Sequence, residues 1–260
     1  MQKSVRHVGL AKVASLATVV LLWHITVATG VLANSAVASP AQVAHALSDL
    51  VFAAEFWSAI GETLTTWALG LTLSVILAVP IGLALGANDV IYRSSRFTID
   101  FFRTIPPVAL VPLLLLLFGA TGQMVVTLIV IAAVWPLLLQ SMYGVHQVDS
   151  VARDVARSYR LRWSDRVLRL ILPSAAPFIA TGVRIAATMS LLMAVGAELI
   201  ASAPGLGDSI GAAQSNGDLP GMYAYLFVVA VLGVLVNRAM GYAERRLLSW
   251  HSSQRLGVAR

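Results

Sequence analysis

Long apolar stretches alternate with short polar segments along the whole of this 260-residue chain. Several of them approach twenty residues, the length that an α-helix needs to cross the hydrocarbon core of a membrane. Because lipid offers no hydrogen-bond partner to a peptide group, such stretches must form helices that satisfy their own backbone. The pattern therefore predicts an all-α, polytopic membrane protein with a single transmembrane domain over residues 1–260.

We predict about six membrane helices, with these approximate bounds: Leu10–Leu32, Thr63–Ala87, Pro106–Phe118, Met124–Val145, Ser174–Ser202 and Met222–Arg245. Segments 33–62 and 203–220 then become outer loops, and segment 147–173 becomes a cytoplasmic loop. Apolar residues at helical spacing predict a short amphipathic helix over Ala41–Val51 in the first outer loop. Ala78, Gly82 and Gly86 recur every four residues on the second span, which predicts close packing against another helix.

Composition supports the membrane assignment and narrows the function. The chain is 58% hydrophobic and 12% charged, with a mean hydropathy of +0.82, which excludes an ordinary soluble domain. It contains no cysteine, so disulfides and thiolate metal sites are excluded. The net charge of +6 does not indicate nucleic-acid binding, because the charges lie in loops between the spans.

The distribution of charge predicts the orientation. With the N-terminus in the cytoplasm, all 18 Lys and Arg fall on the cytoplasmic side, including Arg93, Arg96 and Arg103 between the second and third spans. The outer loops hold no Lys or Arg, and their charged residues are all acidic, namely Asp49, Glu55, Glu62, Asp208 and Asp218. The positive-inside rule thus places both termini in the cytoplasm.

The N-terminal segment has two interpretations. A basic start, an apolar stretch and the small-residue run Ala33–Ala38 are typical of a cleavable signal peptide. The apolar stretch is longer than a usual signal core, which favours an uncleaved anchor helix.

Motifs of catalysis and of nucleotide binding are missing from the sequence. It has no phosphate-binding loop, its two lysines both lie near the N-terminus, and its five histidines are scattered. We therefore expect no enzyme activity, no cofactor and no metal on this chain, and transport driven by another protein is the function that remains. An ion-gradient-driven secondary transporter is the alternative, although only Glu198 is a clear candidate for an intramembrane ion-coupling group and no internal repeat is visible.

An arginine-rich block separates the fourth and fifth spans. It carries six arginines between Arg153 and Arg169, with Arg184 following in the next span. Val155, Tyr159, Trp163 and Val167 recur every four residues, which predicts an apolar helical face within two short helices joined near Leu161–Trp163. We expect Pro173 to end this element. Such an amphipathic pair is typical of a docking element; a solvated loop that only sets topology is the alternative.

The block resembles the cytoplasmic loop of type I ABC importer permeases, which carry E-A-A-x3-G-x9-I-x-L-P. Asp154-Val155-Ala156 matches E-A-A, Arg160 stands at the Gly position, and Leu170-x-Leu172-Pro173 closes the motif. Other segments are similar to the sulfonate/nitrate/taurine branch, namely Arg103-x-Ile105-Pro106-Pro107, Ala197-Glu198, Gly205-Leu206-Gly207 and Glu244-Arg245-Arg246-Leu247-Leu248.

The resemblance implies a type I permease fold in a bacterial inner membrane. It also implies two partner ATPase subunits that bind ATP and Mg, a second permease copy in a homodimer, and an extracytoplasmic substrate-binding protein. The implied substrate is a small organic or inorganic anion such as a sulfonate, taurine or nitrate. The implied ATPase-coupling residues are these: Asp154, Val155, Ala156, Tyr159, Arg160, Trp163, Leu172 and Pro173.

The main departure from the family pattern is Arg160. If the usual Gly occupies a left-handed turn between the two short helices, an arginine there is strained. It also places a cation at the ATPase contact, so we expect a compensating acidic residue on the partner.

Polar residues on the fifth span predict a substrate pathway. Arg184, Thr188, Glu198 and Ser202 fall within one stripe at 100° per residue, together with Leu191 and Val195. Because a carboxylate facing lipid is costly, the stripe should face protein or a water-filled passage. Gln140 on the fourth span is a weaker candidate. A structural hydrogen-bonding role between helices is the alternative for Glu198.

Overall fold

The computed structural model describes the backbone of residues 2–29 and 37–248, and the side chains of residues 14, 15, 17–29 and 37–248. Within these ranges the chain forms helices and no β-strand. The helices are α1 (Gln2–Ala28), α2 (Pro40–Leu50), α3 (Ala54–Gly86), α4 (Asp89–Phe102), α5 (Val111–Phe118), α6 (Gly122–His146), α7 (Ser150–Ser158), α8 (Trp163–Arg166), α9 (Leu172–Ala201), α10 (Leu206–Ser215) and α11 (Leu219–Leu247). A 3₁₀ turn (Pro107–Leu110) precedes α5, and a π turn (Val167–Ile171) joins α8 to α9.

Polar residues just outside the helices set where several of them begin. Each accepts a hydrogen bond from a backbone N–H of the first turn, which would otherwise have no partner. These N-caps are Ser39, Asn88, Thr121, Asp149 and Asp218. At Ser39 a full capping box with Gln42 starts α2, so the amphipathic helix predicted for the first outer loop is confirmed.

The core is built from α3, α6 and α9. Small residues bring these helices close together, as predicted for Ala78, Gly82 and Gly86. A Cβ on Gly82 would lie 2.7 Å from the carbonyl oxygen of Leu138, and Gly144 of α6 meets Ala175 of α9 in the same way. The ends of α3 and α6 and the start of α9 therefore lie together, at what we call the arginine-rich end of the bundle.

Four helical segments in the described ranges are long and apolar enough to cross a membrane: Ala54–Gly86, Gly122–His146, Trp163–Ala201 and Leu219–Leu247. The pair Asp89–Phe102 and Pro107–Phe118, bent by 66°, makes a possible fifth span. Within the predicted first span, Leu10–Leu32, the structure has a shorter apolar helical stretch, Ala17–Ala28. The predicted total of six is reached only if this part of α1 is counted. Most of the small-residue run Ala33–Ala38 lies outside the described residues.

Two predicted boundaries are wrong. The second span begins at Ala54 rather than near Thr63. We had placed Glu55 and Glu62 in the outer loop, but both lie in the first turns of α3. The segment before the third span, predicted as a loop, forms helix α4. Pro106 and Pro107 separate α4 from α5 because neither proline can donate a backbone hydrogen bond.

Helix α4 runs along α6 from the arginine-rich end towards the middle of the bundle. The rings of Tyr92 and His146 lie 3.9 Å apart at the start of α4, and Phe102 stacks on Trp135 at its end, with centroids 6.1 Å apart and planes 3° apart. Trp135 is eleven residues before His146, or about 16 Å along the axis. Arg103 follows Phe102 at the end of α4, so it lies level with the middle of α6 and not in an extended loop between the second and third spans.

Pro173 does not end the helix of the arginine-rich block, as we had predicted. The segment Trp163–Ala201 is one continuous helix of 39 residues. The N–H of Leu172 bonds to the carbonyl oxygen of Val167, five residues back, in the π turn. This wider turn accommodates the proline ring, which would otherwise meet the carbonyl group of the preceding turn.

Candidate functional site

The connection between α6 and α9 is folded onto the bundle. Asp149 caps α7 by accepting a hydrogen bond from the N–H of Val151 at 2.9 Å. The guanidinium of Arg153 donates to the carbonyl oxygen of Val145 at the end of α6. Ala156 is buried. These contacts give α7 a defined position, which a loop that only sets topology does not need.

Arg160 occupies the left-handed position of a Schellman turn at the end of α7. Its φ is 51°, its N–H donates to the carbonyl oxygen of Arg157 at 2.9 Å, and the N–H of Leu161 donates to that of Ala156 at 3.1 Å. This position usually holds glycine, because a Cβ is strained there. The condition under which we expected Arg160 to be strained is therefore met, and the left-handed turn explains why the related motif carries glycine.

Exposed apolar side chains cover the outer surface of α7 and its C-terminal turn. We call Val151, Val155, Tyr159 and Leu161 the α7 patch; Tyr159 is 78% exposed. The patch borders a shallow cavity of about 570 Å³, together with Arg169 and Leu170. Charges surround it, including Asp154 and Arg157, whose side chains lie 3.7 Å apart. An apolar patch with a charged rim is typical of an interaction surface.

Trp163 lies apart from the α7 patch. The two predicted short helices joined near Leu161–Trp163 are confirmed, because α7 ends at Ser158 and Trp163 begins a new helix. The single apolar face predicted across both is wrong, because Val155 and Tyr159 border one cavity and Trp163 and Val167 another. Trp163 and Val167 border a cavity of about 240 Å³ against the end of α3. The other two predicted coupling residues lie at the start of α9, where Leu172 borders a groove towards α11 and Pro173 is exposed.

The polar stripe of α9 faces protein, and at the arginine-rich end it faces α11. The Nε of Arg184 donates to the side-chain oxygen of Asn237 at 2.9 Å, and a terminal nitrogen of Arg184 lies 3.8 Å from a carboxylate oxygen of Glu244. The hydroxyl of Thr188 donates to the carbonyl oxygen of Arg184 at 3.3 Å. The two contacts of Arg184 tie α9 to α11, whereas the Thr188 bond lies within α9.

At the opposite end, the stripe leads to a buried carboxylate. One oxygen of Glu198 accepts hydrogen bonds from the Thr63 hydroxyl at 2.8 Å and from the N–H of Gly207 at 3.1 Å. The Thr63 oxygen in turn accepts from the N–H of Leu206 at 2.9 Å. Glu198 and Thr63 are both 0% exposed. We call these four residues the Glu198 node; they supply the caps that the first turn of α10 lacks within its own segment.

Glycines bring the start of α10 close enough to make the Glu198 node. Gly205, at φ 150°, lies directly against the Glu198 carboxylate, and a Cβ on Gly207 would overlap the carbonyl oxygen of Val195. Of the two predicted roles for Glu198, this geometry favours the structural one.

The remaining predicted pathway residues do not join Glu198 on one open surface. Ser202 is exposed and ends α9 in a left-handed turn at φ 50°. The side-chain stem of Gln140 packs against Gly182. In the described part of the chain the five predicted residues therefore do not form one cluster.

A different face of α9 borders an open cavity that our sequence reasoning missed. This cavity of about 410 Å³ lies between α9, the middle of α6 and the bend after α4, and we call it the Arg103 cavity. Its lining residues are Arg103, Thr104, Pro107, Ala132, Trp135, Pro136, Leu139, Met189, Leu192 and Met193. The sequence did contain one signal of this cavity, the Pro106–Pro107 break after the segment that forms α4. Arg103 precedes this break and lies beside the middle of α6, away from the ends of the bundle.

Comparisons with known proteins agree with this architecture. The family described as binding-protein-dependent transport system inner membrane component matches residues 70–249. A chain of the MetNI methionine ABC transporter, in an inward-facing conformation, has a similar fold with a TM-score of 0.64. It is 17% identical, and the match covers 74% of this chain and 95% of that one.

Three curated relatives are permeases. The chain is 27% identical to a putative aliphatic sulfonates transport permease, SsuC of Bacillus subtilis (strain 168), over 91% of this chain and 86% of that protein. It is 28% identical to the nitrate import permease NrtB of Leptolyngbya laminosa, over 74% of this chain and 69% of that protein. It is 30% identical to the bicarbonate transport system permease CmpB of Synechococcus elongatus, with the same shares covered. The chain thus belongs to the family of binding-protein-dependent transport system inner membrane components and is a multi-pass permease of an ABC importer.

Proposed function

We propose that this chain forms the membrane passage through which a small anion, delivered by an extracytoplasmic binding protein, enters a bacterial cell. The α7 patch carries the proposal, because it is an ordered, exposed apolar surface at an otherwise charged end of the bundle. A partner ATPase would supply the energy by hydrolysing ATP. In this scheme the permease itself binds neither ATP nor Mg and hydrolyses nothing.

The arginine-rich end faces the cytoplasm in this proposal. Support comes from the block Arg153–Arg169, whose charges belong on the cytoplasmic side by the positive-inside rule. The same orientation puts both termini in the cytoplasm. Helix α11 ends beside Arg184 at the arginine-rich end, and α1, whose Trp23 lies near Tyr223 at the start of α11, would begin at that end. The Glu198 node and α10 then lie at the outer face, where the binding protein delivers its substrate.

The α7 patch is the proposed contact with the ATPase. Val155 and Tyr159 enter an apolar groove of the partner, Asp154 and Arg160 fix the orientation, and buried Ala156 holds α7 to the bundle. Trp163, Leu172 and Pro173 lie on the continuous helix Trp163–Ala201, so they pass the movement of the contact into the membrane. Two ATPase subunits, each bound to one permease copy, would close on ATP and tilt these helices.

A second copy of this chain completes the passage. Helix α9 exposes Ile185, Met189, Leu192 and Ile200 along one face, and Leu192 is 60% exposed. We propose a homodimer in which these faces approach each other across the substrate pathway. Thr188 and Gln140 stay predicted pathway residues. Arg184 and Glu198 instead take part in contacts that hold the helices, and Ser202 ends α9.

The proposed substrate class follows from the relatives. The names of the three permeases given above refer to sulfonates, nitrate and bicarbonate, which are all anions. Because the binding protein selects the substrate in such a system, identifying that protein would identify the anion.

Co-purification tests the proposal most directly. The tagged chain is extracted from its native host in mild detergent, and the proteins retained with it are identified by mass spectrometry. We expect a nucleotide-binding ATPase in equal amount. Replacing residues 154–160 by a Gly/Ser linker should release the ATPase while the permease remains folded in the membrane.

Recovery of the permease alone, under conditions that preserve other membrane complexes, would contradict the proposal. Uptake by proteoliposomes then separates the energy sources. Uptake that requires ATP hydrolysis supports the importer, whereas uptake driven by an ion gradient without ATP supports a secondary transporter.

A further inference from the structure

Arg103 is a cation level with the middle of α6 and α9, two helices long and apolar enough to cross a membrane. It follows Phe102, whose ring stacks on Trp135 near the middle of α6. The cavity that it borders also touches Met189, Leu192 and Met193, near the middle of α9. Charged side chains at such depth are costly, and where they occur they generally face a partner, a passage or a ligand.

The surroundings of Arg103 leave part of its guanidinium available. Its Nε lies 3.2 Å from a carboxylate oxygen of Asp100, one turn earlier on α4. The two terminal nitrogens form no hydrogen bond or ion pair with any side chain or carbonyl group in the described ranges. A guanidinium bonded through Nε still presents a two-nitrogen edge, which matches two oxygens of a carboxylate, sulfonate or phosphate group.

The rest of the cavity is almost entirely apolar. Trp135, Pro136, Leu139, Met189 and Leu192 are among its lining residues. Thr104 also borders the cavity, but its hydroxyl donates to the carbonyl oxygen of Phe101 at 2.6 Å, so its proton is already engaged. A volume of about 410 Å³ with one cationic group and aromatic and aliphatic walls suits a small organic molecule with a charged end.

We propose that the Arg103 cavity is an intramembrane binding site for an organic anion, whose charged group meets Arg103 and whose apolar body lies against Trp135 and Leu192. This inference rests on the proposed transport function and names the substrate class that the passage favours. A small inorganic anion such as nitrate would lose its hydration here without gaining apolar contacts, so it should bind less well.

Asp100 makes the site weak, as a passage requires. In the empty state it partly neutralises Arg103, and an incoming anion must compete with it for the guanidinium. Binding is then strong enough to draw the anion in and weak enough to let it leave. Removing the Asp100 charge should therefore tighten binding, whereas removing the Arg103 charge should weaken it.

The test uses the purified permease–ATPase complex without its binding protein. Hexanesulfonate and nitrate are titrated separately, and binding is followed by the intrinsic fluorescence of Trp135, with Trp135→Phe identifying its share of the signal. We expect hexanesulfonate to bind roughly tenfold more tightly than nitrate, a difference of one power of ten in Kd. Arg103→Gln should weaken hexanesulfonate binding at least as much, and Asp100→Asn should strengthen it.

Arg93→Gln is the matched control, because it removes the same charge from the other end of α4. It should leave hexanesulfonate binding unchanged. Leu192→Trp supplies a second test that keeps Arg103: by filling the cavity it should weaken binding of hexanesulfonate more than binding of ethanesulfonate.

Equal binding of hexanesulfonate to wild type and Arg103→Gln would overturn the inference, as would equal binding of nitrate and hexanesulfonate. If Arg103→Gln fails to assemble, an unchanged chain-length preference in Leu192→Trp overturns it instead. The proposed transport function is judged separately, by recovery of the ATPase with the wild-type chain.

Discussion

Polar residues at the two ends of the bundle have opposite surroundings. In the Glu198 node a carboxylate, a hydroxyl and two backbone N–H groups are buried together, and their hydrogen bonds join three helices. At the arginine-rich end, Arg157, Tyr159 and Trp163 are exposed although α7 itself is well positioned. Both segments are polar features beside apolar spans in the sequence, yet only the second exposes its side chains at the surface.

The difference teaches that polarity beside a membrane span has two meanings, which burial separates. A buried polar group stabilises the fold because its hydrogen bonds cannot be replaced by water. An exposed one contributes little to stability and is free to bind another protein. Substitutions in the Glu198 node should therefore change stability, and substitutions in the α7 patch should change association.

The largest effect is expected from Glu198→Ala. It removes two hydrogen bonds to a buried carboxylate and leaves the Gly207 N–H and the Thr63 hydroxyl without their acceptor, at a cost of about 4 kcal/mol. The free energy of unfolding in detergent measures it. Glu62→Ala, on the exposed side of α3 beside Thr63, is the control and should have little effect. Equal stability of the two variants would show that the Glu198 node is not structural.

A second test concerns the glycine that brings α10 against α9. Gly207→Ala places a Cβ where the carbonyl oxygen of Val195 lies, so backbone must move, and we expect a loss of about 3 kcal/mol. Gly196→Ala, on the same helix as Val195, meets nothing within 4 Å and should stabilise the protein by up to about 1 kcal/mol. Thermal unfolding of both variants checks the prediction, which fails if they shift Tm in the same direction.

In the α7 patch, Tyr159→Ala should leave Tm unchanged and weaken ATPase retention by roughly tenfold, or about 1.4 kcal/mol of binding free energy. The amount of ATPase recovered per permease on an affinity column measures this. Val90→Ala, an equally exposed apolar truncation on α4, is the control and should retain the ATPase. If both variants retain it equally, α7 is not the contact.

The smallest effect separates the two properties of Arg160. Arg160→Gly relieves the left-handed strain and should raise the free energy of unfolding by about 1 kcal/mol. Arg160→Ala keeps the strain and removes only the charge, so it should not raise stability. If the charge orients the ATPase, both variants should lower the ATPase activity stimulated by the binding protein. Activity that falls in neither variant would remove any role for the cation.

Much of the fold follows from sequence because hydrophobic periodicity and helix caps are local signals. They located the long spans and the amphipathic α2, whereas the possible left-handed turn at Arg160 came from the family motif, which has glycine there. They failed at Pro173, because a proline ends an α-helix in isolation but not after a π turn that already widens the backbone. They failed again before the third span, since α4 is held by Tyr92, Ile99 and Phe102 packing on α6, which is a tertiary contact.

The same difference between local signals and tertiary contacts decides which candidate sites could be predicted. The α7 patch was predicted because its residues are close in sequence. The stripe of α9 was predicted to face protein or a passage, and only its neighbours α3, α10 and α11 could decide between these. The Arg103 cavity joins residues from three separate segments, so no local pattern could reveal it.

The continuous helix from Trp163 to Ala201 has a mechanical consequence. Its 39 residues measure roughly 58 Å, whereas the hydrocarbon core of a membrane is about 30 Å thick. In the proposed coupling scheme, a rod that projects so far would act as a lever pivoting in the bilayer, and it joins the connection that carries the α7 patch to the Glu198 node at its far tip. The π turn at Val167–Ile171 would be the point at which this lever bends. Its stiffness would set how much of a movement applied at one end arrives, reversed in direction, at the other.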